Sequence, residues 1–189
     1  MPLNLELFKA SLVDGGARAS LFQMEINKQG IVAGLNAVPF HVRVSEIPGS
    51  TITPIVQKFA GREIKFAGQR TYGNLSVTVL NDENFRVRTA IEDWMNKINA
   101  REANVRLAGP TELQYQGDAI VNQFTKTGVP IKAFKFVGLF PVTMAAIPLD
   151  WSNDGVIEEY TVEFAYQYWE PTTPSTGAVI SGLTAAATA

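Results

Sequence analysis

Few residues in this 189-residue chain are suited to catalysis or metal binding. There is one histidine, His41, and no cysteine, which excludes thiolate catalysis, disulfides and cysteine-ligated metal sites. His41 falls on the polar side of an alternating segment, which predicts an ordinary exposed side chain and not a general base. Glu158 and Glu159 precede or begin a predicted strand, and no partner acid across a cleft is visible. The sequence therefore predicts no enzyme, no catalytic residue, no metal and no cofactor.

Two short motifs imitate ligand loops without completing them. Residues 68–73 have the glycine spacing of a phosphate loop, but Asn74 and Leu75 stand where Lys and Ser or Thr are required. Residues 150–155 imitate the opening of a calcium loop, but Thr161 occupies the position of the closing glutamate. We interpret the first motif as a bend between strands and the second as a turn that leads into the last strand.

One cluster stands out because basic and aromatic residues alternate within a short stretch, opposed only by Glu63. Such a pattern occurs in proteins that bind single-stranded nucleic acid, and also in hairpins that dock on an acidic protein surface. The net charge of -2 and the lack of an RNA-binding signature favour docking. The basic residues, which lie within thirteen positions, are Lys58, Arg62, Lys65 and Arg70, and the aromatic ones are Phe59, Phe66 and Tyr72.

The composition is that of a globular domain whose surface is short of charge. Apolar residues make up 46% of the chain, while charged residues make up only 18%, which suggests that a partner covers part of the surface. The near balance of charges disfavours tight binding to DNA. No membrane span is expected, because the uncharged apolar stretch Phe136–Leu149 is short and interrupted by prolines. Met1–Lys9 does not resemble a signal peptide.

Most of the chain alternates with the period of a β-strand, most clearly in the last strand, Tyr160–Tyr168. Only residues 83–100 have helical spacing, with one apolar stripe that includes Trp94. This pattern predicts a mainly β subunit, a sandwich or barrel with one α-helix at about 83–100. We expect a domain over residues 1–170 and, because residues 171–189 are uncharged and rich in Thr, Ser, Pro, Gly and Ala, a flexible extension over 171–189.

Several of these segments, taken in order, resemble the tail tube proteins of contractile-tailed bacteriophages. The similarity covers approximately Met1–Trp169, and its features are a turn, a hairpin, a strand that leads into the helix, and the closing strand. The segments that carry the resemblance are Ile47–Gly49, Phe59–Gly68, Asn74–Asp82, Val87–Arg88, Ile91–Trp94 and Gly155–Tyr166.

The resemblance implies a β-barrel-like subunit that forms homo-hexameric rings, which stack into a hollow tube inside a contractile sheath. Genomic DNA would pass through this tube into the host without being tightly bound. The implied partners are further copies of the chain and the sheath, baseplate and tail terminator proteins, in the virion tail after assembly in the host cytoplasm. Two alternatives remain open: the tube of a related injection particle or secretion system, and a single-stranded nucleic-acid-binding barrel.

This hypothesis assigns roles to two sets of residues. A conduit for DNA should have a neutral or acidic lumen, because several Lys or Arg residues facing inward would hold the phosphates. We therefore expect Lys58, Arg62, Lys65 and Arg70 to lie at contacts between rings or subunits. The candidates for lining the lumen are the polar strand positions Glu112, Gln114, Gln116, Asp118, Glu159 and Glu163.

Overall fold

The computed structural model describes residues 5–12, 15–28, 35, 38–47, 49–107, 109, 111, 114–152 and 155–173. Nine strands and three helices are found among these residues. They are α1 (Leu5–Ser11), β1 (Phe22–Asn27), α2 (Val38–His41), β2 (Val42–Ser45), β3 (Ser50–Phe59), β4 (Arg62–Tyr72), β5 (Leu75–Leu80), α3 (Arg86–Ile98), β6 (Gly117–Phe124), β7 (Pro130–Met144), β8 (Glu159–Ala165) and β9 (Tyr168–Thr172). The prediction of a mainly β fold is confirmed.

Seven strands form one antiparallel sheet in the order β1-β6-β7-β8-β5-β2, with β9 also paired to β7. The sheet curves because β7 is long and changes partners along its length: its first part pairs with β6 and β9, and its end pairs with β8. Gly138 lies at this change with φ of 71°, a conformation that favours glycine. The edge strands approach each other, since Ser45 Oγ lies 4.0 Å from Met24 Sδ. The result is a barrel-like domain.

The core lies inside this curved sheet, beneath α3. The apolar stripe predicted for the helix is buried at Val87, Ala90, Ile91 and Trp94. The Trp94 ring packs near that of Phe164, with 6.3 Å between ring centroids. Its indole N–H donates a hydrogen bond of 2.6 Å to the Tyr115 carbonyl, so the largest core side chain has its polar atom satisfied.

The helix begins later than the sequence predicted, at Arg86 and not near residue 83. Phe85 precedes it in a left-handed conformation, and the Asp82 carboxylate accepts a 2.9 Å hydrogen bond from the Arg86 backbone N–H. Phe85 occupies the N-cap position without a side-chain hydrogen bond, and the turn between Asp82 and Phe85 delays the first helical residue. The structure also adds the short helices α1 and α2 to the single helix that was predicted. Within the described residues, no helix is both long and apolar enough to cross a membrane.

Three strand predictions need correction. Phe40 and His41 belong to α2, so β2 begins at Val42 and His41 is a half-buried helical residue, not an exposed strand residue. Gln114–Gln116 form a turn before β6 instead of a strand. The last strand divides into β8 and β9, because Gln167 N donates to Val137 O and turns the chain toward another part of β7. Strand β9 includes Pro171 and Thr172, while residues 174–189 lie outside the described residues.

Candidate assembly surface on the β3–β4 hairpin

Strands β3 and β4 form a two-stranded sheet of their own, which we call the arm (residues 50–72). The arm continues from the β2–β5 pair, since β2 leads into β3 and β4 leads into β5. It reverses at Ala60 and Gly61, both with positive φ, as a tight turn requires. Every residue of β3 is exposed to solvent, so the barrel covers neither face of this strand.

A β-bulge interrupts the arm near its base. The pairing shifts between Ile52 and Pro54, where one residue of β3 faces two of β4. Gly68 lies at this shift, and a Cβ atom there would be only 2.2 Å from the carbonyl oxygen of Thr53. The glycine that suggested a phosphate loop is therefore required by the close approach of two strands. The segment 68–72 is part of β4, and the bend follows at Gly73 and Asn74.

The register of the arm determines which side chains share a face, because directly paired residues point to the same side. One face is mainly apolar. Its large apolar residues are Ile55, Phe59, Ile64 and Phe66, with Ile55 paired to Phe66 and Phe59 paired to Arg62. The exposed fraction of Phe59 is 72%. Soluble monomers rarely leave so many neighbouring apolar side chains in water.

The opposite face carries most of the basic cluster. Lys58, Lys65 and Arg70 lie on this face with Glu63, whereas Arg62 lies on the apolar face beside Phe59. Lys58 and Glu63 are cross-strand partners, with 3.7 Å between Nζ and Oε1. This exposed pair adds little stability. All four predicted basic residues are thus on one element and exposed, but the arm divides them between its two faces.

The lumen candidates fall into two groups. Glu159 and Glu163 lie on β8, on the side opposite the buried Tyr160, Val162 and Phe164. Glu159 forms an ion pair with Arg43 of β2. Between the two glutamates, Thr161 and Thr78 of the neighbouring strand β5 have hydroxyl oxygens 3.4 Å apart, so this outer surface is polar.

The second group surrounds a cleft of about 330 Å³. Gln116 and Asp118 line it together with Lys28, whose Nζ donates to the Gln116 carbonyl. Asp118 forms an ion pair of 3.2 Å with Lys135 and accepts a 3.3 Å hydrogen bond from Gly138 N. Partial burial lowers the pKa of Lys28 from its ordinary value, against the opposing effect of Asp118.

The remaining two candidates are not part of either group. Gln114 is exposed in the turn before β6, and Glu112 lies outside the described residues. Glu163 lies on β8 and Asp118 lies on β6, and these two strands pair with different parts of β7. The described candidates thus lie on different strands and turns, and their place in a lumen stays a prediction.

In the calcium-like segment, Trp151 and Ser152 lie in a turn, while Asn153 and Asp154 lie outside the described residues. The Asp150 carboxylate accepts hydrogen bonds from the backbone N–H and the hydroxyl of Ser152, at 2.9 and 2.6 Å. These bonds hold the pKa of Asp150 below its ordinary value. No group of three or more metal-ligating side chains was found in the part of the chain that the structure describes.

Comparison with known proteins gives a consistent result. The family described as phage tail tube protein matches residues 12–172. The chain is 32% identical over 155 residues to the tail tube protein gp19 of Enterobacteria phage T4, covering 82% of this chain and 91% of that protein.

Two solved structures share the fold. A chain of the anti-feeding prophage baseplate, from a six-fold symmetrised cryo-EM structure, has a TM-score of 0.62 at 13% identity and covers 82% of this chain and 95% of its own. A chain of the sheath/tube terminator of PVC, an extracellular contractile injection system, has a TM-score of 0.62 at 12% identity, with 82% and 96% coverage. From the sequence matches, the chain belongs to the phage tail tube protein family and is a structural component of the tail.

Proposed function

We propose that six copies of this subunit form a ring, and that rings stack through the arm into the hollow tube of a contractile tail. The observation that carries this proposal is the arm itself. Its apolar face, with Ile55, Phe59, Ile64 and Phe66, remains in water in the single subunit. Burying such a face between copies would supply the main free energy of assembly.

The strand edges of the arm support the same proposal. Strands β3 and β4 have 10 and 11 residues, and among the described strands each pairs only with the other, so each presents a long unpaired edge there. Proteins avoid open edges of this length because such edges recruit other chains. A closed ring of copies satisfies them without unlimited aggregation. The six-fold number is the symmetry applied to the baseplate structure that shares this fold.

The polar surfaces described above fit a lumen through which DNA passes without being held. The β8 surface offers Glu159 and Glu163, and Gln116 and Asp118 offer a second polar surface near β6. Arg43 and Lys135 neutralise one carboxylate on each surface. A lumen that is neutral to weakly acidic would give phosphates no cluster of cations to bind.

The proposal extends to the partners and location of the tube. In the virion tail, the outside of the tube would face the contractile sheath, and its ends would meet the baseplate and the tail terminator, after assembly in the host cytoplasm. A second candidate is the tube of an extracellular injection system, favoured by the fold shared with the two solved particles. Capsid and terminase genes near this gene would select the phage tail, and effector genes without a capsid would select the injection system.

Electron microscopy of the purified protein tests the proposal. We expect rings with six-fold symmetry, and tubes as the concentration rises. A double charge reversal, Arg62→Glu with Lys65→Glu, should shorten the tubes. The matched control reverses Arg106 and Lys97, which lie outside the arm. A protein that stays monomeric at every concentration would refute the assembly, and unchanged tubes in the double variant would refute the role of the cluster.

A further inference from the structure

A second exposed apolar surface lies on the segment between β7 and β8. We call residues 145–158 the acceptor loop, of which 153 and 154 lie outside the described residues. The exposed fraction of Leu149 is 80%, and Trp151 is fully exposed. With Val156 and Ile157 they line a cleft of about 500 Å³. The lining also includes Asp150, Glu158 and Glu159, and an exposed tryptophan beside apolar side chains is typical of a surface that another protein covers.

The acceptor loop and the arm carry opposite charges. The arm has four basic residues and one acidic residue, a net charge of +3. The acceptor loop, residues 145–158, contains two aspartates, one glutamate and no lysine or arginine, a net charge of -3. Complementary charge steers two surfaces together and fixes their register.

The topology prevents these two surfaces from lying side by side in one subunit. Strands β5 and β8 are antiparallel neighbours, with Leu75 opposite Phe164 and Leu80 opposite Glu159. The arm leaves this ladder at its Leu75 end, and the acceptor loop joins it at its Glu159 end. Six strand residues, about 17 Å, separate the two ends. The arm and the loop therefore lie at opposite ends of the same ladder.

We infer that the tip of the arm of one copy docks into the acceptor loop of a second copy. Phe59 enters the apolar cleft beside Trp151, and Arg62, the cross-strand partner of Phe59, pairs with Asp150. The two hydrogen bonds from Ser152 hold the Asp150 carboxylate in place. This inference rests on the proposed function, because it names the surface that the arm would contact between rings.

The contact joins two different patches, so each copy keeps one arm and one loop free for further copies. Such heterologous contacts repeat without limit unless a rotation closes them. Because the two patches lie at opposite ends of the β5–β8 ladder, repeated docking would extend the assembly along that ladder. The tip of the arm and the loop would therefore join successive rings, while the strand edges of the arm and other surfaces would close each ring.

Cysteine cross-linking tests this pairing, because the chain has no cysteine of its own. Gln57→Cys places a thiol on the Phe59 face of the arm, and Val156→Cys places one in the cleft. The two variants are mixed, assembled and treated with a short bismaleimide. We expect a dimer band, twice 20.6 kDa, from the mixture and not from either variant alone. Val105→Cys, at an exposed site elsewhere, replaces Val156→Cys as the control.

The outcomes separate the inference from the proposed function. Normal tubes without a dimer band in the mixture would overturn the docking and leave the tube intact. A dimer band from Gln57→Cys alone would indicate arm-to-arm pairing and would also overturn it. If the parent chain forms no ring or tube at all, the proposed function itself fails.

A charge exchange gives an independent measurement. Arg62→Asp and Asp150→Arg should each raise the concentration of unassembled subunit at least threefold, and the double variant should return toward the parent value. Glu102→Arg, in an exposed loop elsewhere, is the control for added positive charge. Two single effects that simply add in the double variant would refute the pairing of Arg62 with Asp150.

Discussion

The arm predicts a variant that assembles poorly but folds normally. Phe66 is paired with Ile55 on the apolar face, and 56% of its surface is exposed in the single subunit. The substitution Phe66→Thr keeps a residue with strand propensity and removes the aromatic ring. We expect the concentration needed for assembly to rise while the stability of the subunit stays the same.

The magnitude follows from the exposed area. A phenylalanine presents about 200 Å², so 56% corresponds to about 110 Å² that a neighbouring copy could bury. At about 25 cal/mol per Å², complete burial of this area would contribute about 3 kcal/mol. The loss on substitution is smaller by about 1 kcal/mol, because the burial is incomplete and the threonine side chain still buries some apolar area. A loss of about 2 kcal/mol raises the critical concentration about 30-fold. Tyr72, at the base of the arm, packs against Tyr166 of the barrel, but Phe66 is exposed, so its substitution should change the free energy of unfolding by less than about 0.5 kcal/mol.

Sedimentation of assembled protein at a series of concentrations measures the first quantity, and thermal unfolding of the unassembled subunit measures the second. Leu107→Thr is the matched control, since Leu107 is exposed to a similar extent in the loop after α3. An unchanged critical concentration for Phe66→Thr would refute the arm as an assembly surface. A large fall in the melting temperature would show that the arm packs against its own subunit.

Three further predictions concern the elements that support this surface. Gly68→Ala should abolish tubes, because the new Cβ would lie 2.2 Å from the Thr53 carbonyl oxygen and would distort the arm, while the barrel stays folded. Electron microscopy checks the loss of tubes, and circular dichroism checks the fold. Trp94→Phe should lower the free energy of unfolding by about 2 kcal/mol in urea titrations, since it removes the hydrogen bond to Tyr115 and part of the core. Burial raises the pKa of Tyr160 to about 12, so the unfolded chain loses this proton before the folded one, and the free energy of unfolding should fall by about 2 kcal/mol as the pH rises from 10 to 12. Urea titrations across this pH range should show the fall in the parent chain, and Tyr160→Phe should remove it.

Much of the barrel could be predicted from local pattern. The spacing of apolar residues along the chain indicates which face of a strand or helix is buried. This spacing predicted the alternation in β1, β5, β6 and β8 and the helical stripe of α3. The predictions failed where a tertiary contact overrides the pattern. The apolar row of residues 160–168 alternates without interruption, yet Gln167 turns to pair with Val137, which no local pattern indicates.

The assembly surface was predicted only in part. The spacing of Lys58, Arg62, Lys65 and Arg70 singled out the arm as a docking element, and its role in assembly stays a prediction. The acceptor loop was missed, because residues 150–155 were considered only as a calcium loop or a turn. The signal that could have identified it was Leu149 and Trp151 among acidic residues in a loop without cations.

The sequence by itself determined the class of fold, the buried face of the individual strands, and the absence of cysteine chemistry, because each depends on residue type and local order. Only the tertiary structure decided that the arm stands apart from the barrel with an apolar face in water, and that the acceptor loop lies at the other end of the β5–β8 ladder. Both depend on strand pairings between residues far apart in the chain. Such pairings are selected by the packing of the whole core and not by neighbours in sequence.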